Sequence, residues 1–290
     1  MEKNYSIIIP AYNEAESIRS VLTDIQALKL DRAFEIIVVN DSSTDDTATV
    51  VNEFHSLSLI TNVQNSGYGY SLKQGIMAAR YEHIIIIDAD GTYPVTSIPE
   101  LISRYESGFD MVVGARQGKH YHGTFFKRIA RFFFRKLSEF TTGRKIPDIN
   151  SGFRVFKKDR AVDFFHTLSS GFSFTTTITL AFMLNSYSVA YFPIPYQERA
   201  GSSKVQYFRD TLRSLQFIVE AIVFYNPLKI FLLLIILSLG TGIISLTIGY
   251  LFSIWLAIIL FLTIAFCLLL FAIGCVVVSF RFTHTHGHRS

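Results

Sequence analysis

The sequence predicts an α/β domain on a mostly parallel sheet, followed by an amphipathic juxtamembrane helix and a two-helix transmembrane hairpin. Three observations carry this reading. Short β-branched runs alternate with helical stretches over the first two-thirds of the 290 residues. Unusual polar residues sit at the ends of those runs. From Leu228 to Phe280 the only charged residue is Lys229.

The expected strands are Tyr5–Ile9, Phe34–Val39, Leu57–Val63, His83–Ile87 and Asp110–Val113. Between them Glu14–Leu28, Thr44–Phe54, Tyr68–Arg80 and Ser97–Tyr105 have helical spacing and polar faces. Apolar strands separated by helices form a parallel sheet covered on both faces. Ligands of such sheets bind beyond the carboxyl ends of the strands. Pro10–Glu14, Asn40-Asp41 and Asp88–Asp90 fall at those ends.

The apolar C-terminal run would measure roughly 80 Å as one helix, against a hydrocarbon core of about 30 Å. A hairpin of two spans is therefore expected, near Leu228–Leu251 and Trp255–Phe280, turning at Phe252-Ser253. Arg209, Arg213, Lys229, Arg281 and Arg289 flank the spans, whereas the turn has no basic residue. The positive-inside rule then places both termini and the N-terminal domain in the cytosol. No signal-peptide pattern opens the chain. The expected division is a domain over 1–206, a juxtamembrane helix over 207–226, the hairpin over 228–280 and a cytosolic tail over 281–290.

Two segments are amphipathic. In Phe125–Phe140, Arg128, Arg131 and Arg135 share one helix face, and Phe126, Ile129, Phe133, Leu137 and Phe140 share the other, a pattern of helices lying in the membrane interface. A core-facing helix with a solvated basic side is the alternative. In Tyr207–Phe224, Phe208, Leu212, Leu215, Val219 and Ile222 form a stripe, and Asn226-Pro227 ends the helix.

A net charge of +4 suits an anionic bilayer surface and phosphorylated ligands rather than nucleic acid. Both cysteines, Cys267 and Cys275, lie in the second expected span and provide neither a disulfide framework nor a zinc site. His284, His286 and His288 read as a tail. The strongest chemical motif is Asp88-Ala89-Asp90. Two carboxylates at the end of a buried strand repel each other unless a cation joins them. Oxygen ligands of this kind suit Mg²⁺ or Mn²⁺, which bind carboxylates together with a ligand's phosphates. In Ser151-Gly152-Phe153-Arg154 the glycine signals a close backbone approach. Asn65–Gly69 begins a helix, either as a plain cap or with backbone N–H groups turned to an anion.

Ile7–Glu14 (IIIPAYNE), Val38–Thr47 (VVNDSSTDDT), Asp88–Pro94 (DADGTYP), Asp148–Phe156 (DINSGFRVF) and Arg199–Lys204 (RAGSSK) together resemble glycosyltransferase family 2 in its dolichyl- and polyprenyl-phosphate sugar synthase branch. The resemblance runs from Tyr5 to Lys204, and the hairpin is similar to that of bacterial polyprenyl-phosphate glucosyltransferases. It implies a GT-A fold, Rossmann-like, and a metal-dependent hexosyltransferase. The expected reaction is inverting transfer of a hexose or N-acetylhexosamine from a nucleotide-sugar, expected to be a UDP-sugar, to a polyprenyl phosphate in the bilayer.

By the same resemblance, Pro10, Tyr12 and Glu14 hold the nucleoside and Asp41 reads the base, although Asn40 and Ser42 stand where the family often has an acidic residue and a glycine. Asp88 and Asp90 hold the diphosphate-bound metal, with Thr92 nearby. Arg199 and Lys204 close over the donor phosphates. Arg116 and Arg128 bind the acceptor phosphate, Arg128 alternatively being a lipid contact. Asp148, Ser151 and Arg154 are candidates for the acceptor side, Asp148 as an orienting group.

Use of GDP-mannose and a non-catalytic nucleotide-sugar-binding scaffold are the alternatives; a homo-oligomer is left open. A processive polysaccharide synthase would need Gln-x-x-Arg-Trp, but the single tryptophan, Trp255, lies in the hairpin. A flippase needs more than two spans, and an NAD-binding fold would want a glycine-rich turn where Pro10–Glu14 stands.

Overall fold

The structure is a computed structural model that describes residues 3–118, 125–197, 207–251 and 253–286. Seven strands form one sheet: β1 (Tyr5–Ala11), β2 (Phe34–Asn40), β3 (Ser58–Thr61), β4 (His83–Ile86), β5 (Met111–Gln117), β6 (Arg154–Lys157) and β7 (Val189–Pro195). Their spatial order is β3-β2-β1-β4-β6-β5-β7. All neighbours are parallel except at β6, which runs antiparallel to both β4 and β5. Helices α1 (Ala15–Gln26), α2 (Thr47–Asn52), α3 (Tyr68–Ala78), α4 (Ile98–Glu106), α5 (Phe125–Thr142), α6 (Lys158–Asp163) and α7 (Phe174–Leu184) connect the strands.

Side chains alternate across each strand, and both faces of this sheet are covered. Ile7, Ile9, Ile36, Val38, Ile85 and Val155 enter one core with Ile18, Leu22, Val51 and Leu101 of α1, α2 and α4. Ile8, Ile37, Val39, Ile84, Ile86 and Phe156 enter the other with Leu72, Ile76, Ala161, Phe174 and Phe182 of α3, α6 and α7. Two-sided burial explains why β1 reads as a continuous apolar run.

Register gathers the polar strand ends. Ala11 pairs with Asn40, so Asp41 stands just beyond the β1–β2 edge. Ile8 pairs with Ile86, which brings Asp88 level with Pro10. Ile86 also pairs with Arg154, the first residue of β6, so Gly152 arrives beside Asp88 from the opposite direction.

The five expected strands are present, with β3 shorter than predicted and β5 carried on to Gln117. β6 and β7 were not anticipated. β6 has only four residues, and β7 contains Pro193 and Pro195, which its place at the sheet edge tolerates. Helix α7 was also missed. Its sequence, FTTTITLAFML, is rich in β-branched residues, and all but its last residue are buried, so no polar face marks a helical period.

In α5 the side chains are described from Phe132 onward. Ser138 and Thr141 are buried, whereas Phe132, Phe133 and Phe140 are exposed, Phe133 by 66 %. The described part therefore leaves these aromatic rings partly exposed.

The chain divides into two compact units, Met1–Ser214 and Leu215–Ser290. The division falls inside α8 (Tyr207–Tyr225). The second unit continues with α9 (Pro227–Leu251) and α10 (Ile254–His286). Pro227 occupies the first turn of α9, where its missing N–H costs nothing. Pro227–Leu251 and Ile254–Val276 are long and apolar enough to cross a membrane, and most of their side chains are not covered by protein. α10 runs on through His286, beyond the apolar stretch that ends at Val276.

Candidate active site

A pocket of about 560 Å³ opens at the carboxyl ends of β1, β2 and β4. Its walls carry Pro10, Tyr12, Glu14, Asp41, Asp88 and Asp90, six residues singled out from sequence. The turn Asn65–Tyr68, the segment Ser170–Phe172 and Arg213 of α8 complete it. Among the described residues Arg213 is the one cationic side chain in a lining that includes four carboxylates.

Asp41 is 4 % exposed, and its carboxylate organises the neighbouring turn. Oδ1 accepts from Asn62 Nδ2 at 2.7 Å and from Ser66 N at 2.9 Å, while Oδ2 accepts from Gly67 N at 2.8 Å. The Ser66 and Gly67 amides at the start of α3 are thus directed at Asp41, the plain-cap alternative for that turn. Asn40 Oδ1 accepts from Ser43 N at 3.0 Å and holds the next turn, which passes through Ser42 at φ +60°. The left-handed region favours glycine, so Ser42 holds this turn at some backbone cost. Nearby, Glu14 Oε2 accepts from Ser17 Oγ at 3.2 Å in the first turn of α1.

Asp88 and Asp90 flank the pocket floor. Asp90 Oδ1 accepts from Thr92 N at 3.1 Å and from Thr92 Oγ1 at 2.6 Å. Thr92 is fully buried and is absent from the pocket lining, so its place is behind Asp90 rather than beside a ligand. Asp88 Oδ1 accepts from the Tyr68 hydroxyl at 2.8 Å. Burial, then the Asp88 charge, pushes the Tyr68 phenol well above its ordinary pKa and keeps it a donor. On the other side Gly152 presses against the same carboxylate. A Cβ at residue 152 would stand 2.6 Å from Asp88 Oδ1, which explains the glycine. Gly152 N donates to Tyr93 Oη at 2.8 Å.

These two carboxylates fit a hard divalent cation. No group of three or more His, Cys, Asp or Glu side chains suited to a metal occurs among the described residues. Two protein carboxylates with room for a phosphorylated ligand are what Mg²⁺ or Mn²⁺ requires, because such ions complete their shell with phosphates and water.

Among the described residues, those expected on the acceptor side lie away from this pocket's lining. Arg116 and Asp148 are paired with each other, and neither lines the pocket. The Arg116 side chain is 15 % exposed and Asp148's is 3 % exposed. Burial alone would raise the Asp148 pKa, but the Arg116 charge and its hydrogen bonds, joined by Asn150 N, outweigh it and hold it below the usual carboxylate range. Arg116 also stacks over Tyr196 at 5.3 Å. The pair stands at the end of β5, where Arg116 keeps part of its side chain exposed.

Arg154 is fully buried. Its guanidinium donates to Ser151 O from Nε at 3.1 Å and also from one terminal nitrogen; the other donates to Thr175 O at 3.2 Å and Thr179 Oγ1 at 3.1 Å. Burial lowers its pKa. Ser151 is equally buried, with Oγ donating to Gly114 O at 2.6 Å. Together they fix the turn that carries Gly152. Arg199 and Lys204 lie outside the described residues, as does the Arg128 side chain.

Residues 6–163 match the family described as glycosyl transferase family 2. The chain belongs to glycosyl transferase family 2. Among relatives of this glycosyltransferase is a dolichyl-phosphate hexose transferase of Haloferax volcanii, 29 % identical over 70 % of this chain and 87 % of that protein. An undecaprenyl-phosphate 4-deoxy-4-formamido-L-arabinose transferase of Klebsiella pneumoniae is 27 % identical over 71 % of this chain and 64 % of that protein. In structure, the chain is similar to glucosyl-3-phosphoglycerate synthase from Mycobacterium tuberculosis, solved with Mn²⁺, UDP and phosphoglyceric acid. The TM-score is 0.63 at 17 % identity, covering 76 % of this chain and 78 % of that one. That likeness establishes the GT-A fold for this glycosyltransferase.

Sequence reasoning did not place Ser170–Phe172 or Arg213 in the pocket. Arg213 was read only as a basic residue flanking a span. Its helical position alone cannot reveal which loop it faces.

Proposed function

We propose that the chain transfers a hexose or N-acetylhexosamine from a nucleotide-sugar, in the first instance a UDP-sugar, to a polyprenyl phosphate at the cytosolic membrane surface. The observation that carries this reading is the convergence of Pro10, Tyr12, Glu14, Asp41, Asp88 and Asp90 on one pocket in a family 2 glycosyltransferase. The names of the Haloferax and Klebsiella relatives support a lipid-phosphate acceptor. The UDP in the mycobacterial synthase structure supports the nucleotide. Two apolar helices and the exposed rings of Phe132, Phe133 and Phe140 suit a protein whose acceptor stays in the bilayer. Basic residues flanking the spans favour cytosolic termini.

The acceptor needs no protein base. A phosphate monoester has a second pKa near 6 and is largely a dianion at neutral pH. One of its oxygens attacks the anomeric carbon while the bond from that carbon to the nucleoside diphosphate breaks, its electron pair leaving with the diphosphate. The displacement inverts the anomeric centre. Asp88 and Asp90 would hold a Mg²⁺ or Mn²⁺ ion, which when bound would neutralise the departing diphosphate. Tyr12 and the base-side wall near Asp41 orient the nucleoside. Arg199 and Lys204 are assigned to the donor phosphates by family resemblance. Arg213 and Arg128 are assigned to the acceptor phosphate, for which guanidinium groups offer paired donors. Catalysis on this account is positioning and electrostatics.

The test is a screen of UDP- and GDP-sugars with undecaprenyl phosphate, following labelled, solvent-extractable lipid. A UDP-sugar should give product and GDP-mannose should not.

A further inference from the structure

The pocket contains a half-buried phenol for which the proposed chemistry has no step. Tyr68 opens α3, and its hydroxyl reaches Asp88 Oδ1 at 2.8 Å. The ring is fixed by stacking on Phe172, with centroids 5.8 Å apart and planes 13° from parallel. Its backbone is fixed as well. Gly67 caps α3 at φ +100°, and a Cβ there would stand 2.8 Å from Ser170 O. Tyr70 N donates to that same carbonyl at 2.9 Å. Ser173 Oγ lies 2.6 Å from Ser214 Oγ, so the segment carrying Phe172 is tied to α8.

Asp88 thus sits between a donor on one side and the Gly152 backbone on the other. A carboxylate that binds a cation must present its oxygens in one direction, and partners outside the ligand set commonly enforce this. We propose that Tyr68 is a positioning residue for the metal carboxylate, its hydroxyl fixing the rotamer of Asp88 and so setting affinity for the divalent ion. The inference rests on the metal-dependent transfer reading above and extends it to a residue beside the expected metal carboxylates. Phe172 has the derived role of holding the Tyr68 ring.

Tyr68→Phe removes only the hydroxyl and keeps the stack. Mn²⁺ is titrated by calorimetry into the full-length protein in detergent with saturating UDP, for wild type and variant. The variant should bind Mn²⁺ about tenfold more weakly. Its Tm and its UDP affinity without metal should stay at wild-type values. In the transfer assay KM for Mn²⁺ should rise by the same factor, with kcat restored at saturating metal. Phe172→Leu, which keeps the hydroxyl but releases the ring, should show the same metal-specific loss to a smaller degree. Wild-type Mn²⁺ affinity in Tyr68→Phe overturns this inference alone. A lowered Tm in that variant makes Tyr68 a packing residue and also overturns it. A wild-type protein that binds no Mn²⁺ with UDP overturns both the inference and the metal reading beneath it.

Discussion

Arg116 grips Asp148 with two parallel hydrogen bonds, Nε to Oδ2 at 2.7 Å and a terminal nitrogen to Oδ1 at 2.9 Å, in a nearly dry setting. Removing one partner of a buried pair leaves the other charge uncompensated and costs about 3–5 kcal/mol. Asp148→Ala should therefore lower Tm well beyond a surface substitution, with calorimetry of the detergent-solubilised protein as the measurement.

The same pair sets a pH dependence. The folded-state pKa of Asp148 is depressed, so its stabilisation is present above the unfolded value of about 3.9 and is lost as pH falls through the folded value. The Tm gap between wild type and Asp148→Asn should hold from neutral pH down to about pH 5 and close below about pH 4. A gap that widens on acidification would reverse the sign.

Asp88→Ala and Asp90→Ala should each abolish transfer and Mn²⁺-dependent UDP binding while the protein stays folded. Each removes one of the two carboxylates expected to hold the cation, at the cost of local hydrogen bonds to Tyr68 or Thr92. Unchanged turnover in either variant would remove the metal site from the account.

Arg213→Ala should raise KM for the lipid phosphate about tenfold, the scale of one lost charge-assisted contact. UDP binding and Tm should change little, since Arg213 is exposed and belongs to the pocket rim. Loss of UDP binding instead would move Arg213 to the donor side.

Much of this site was legible because each strand end carries its own polar signature. Pro10–Glu14, Asp41 and Asp88–Asp90 each follow an apolar run, and parallel pairing then brings them together. The turn back into the sheet was not legible. β6 is four residues long and antiparallel, so nothing local shows that Gly152 will lie against Asp88. Nor does a sequence report which arginine is inward. Arg154 is fully buried and Arg116 is bound to Asp148, whereas Arg213, on a helix read as a membrane approach, reaches the pocket.

Ser42 offers a purely conformational test. Its φ of +60° costs a non-glycine residue about 1–2 kcal/mol, partly offset by the flexibility glycine adds to the unfolded chain. Ser42→Gly should raise Tm slightly, by the equivalent of about 0.5 kcal/mol, and leave UDP binding intact.

The central claim is that sugar passes from a nucleotide to a lipid phosphate in this pocket. Its most direct measurement is transfer from radiolabelled UDP-sugars to undecaprenyl phosphate by the purified full-length protein with Mn²⁺, counted in the organic extract. The account predicts labelled lipid that disappears with EDTA and in Asp88→Ala. Label on a soluble sugar or protein acceptor, with none in the lipid, would contradict it.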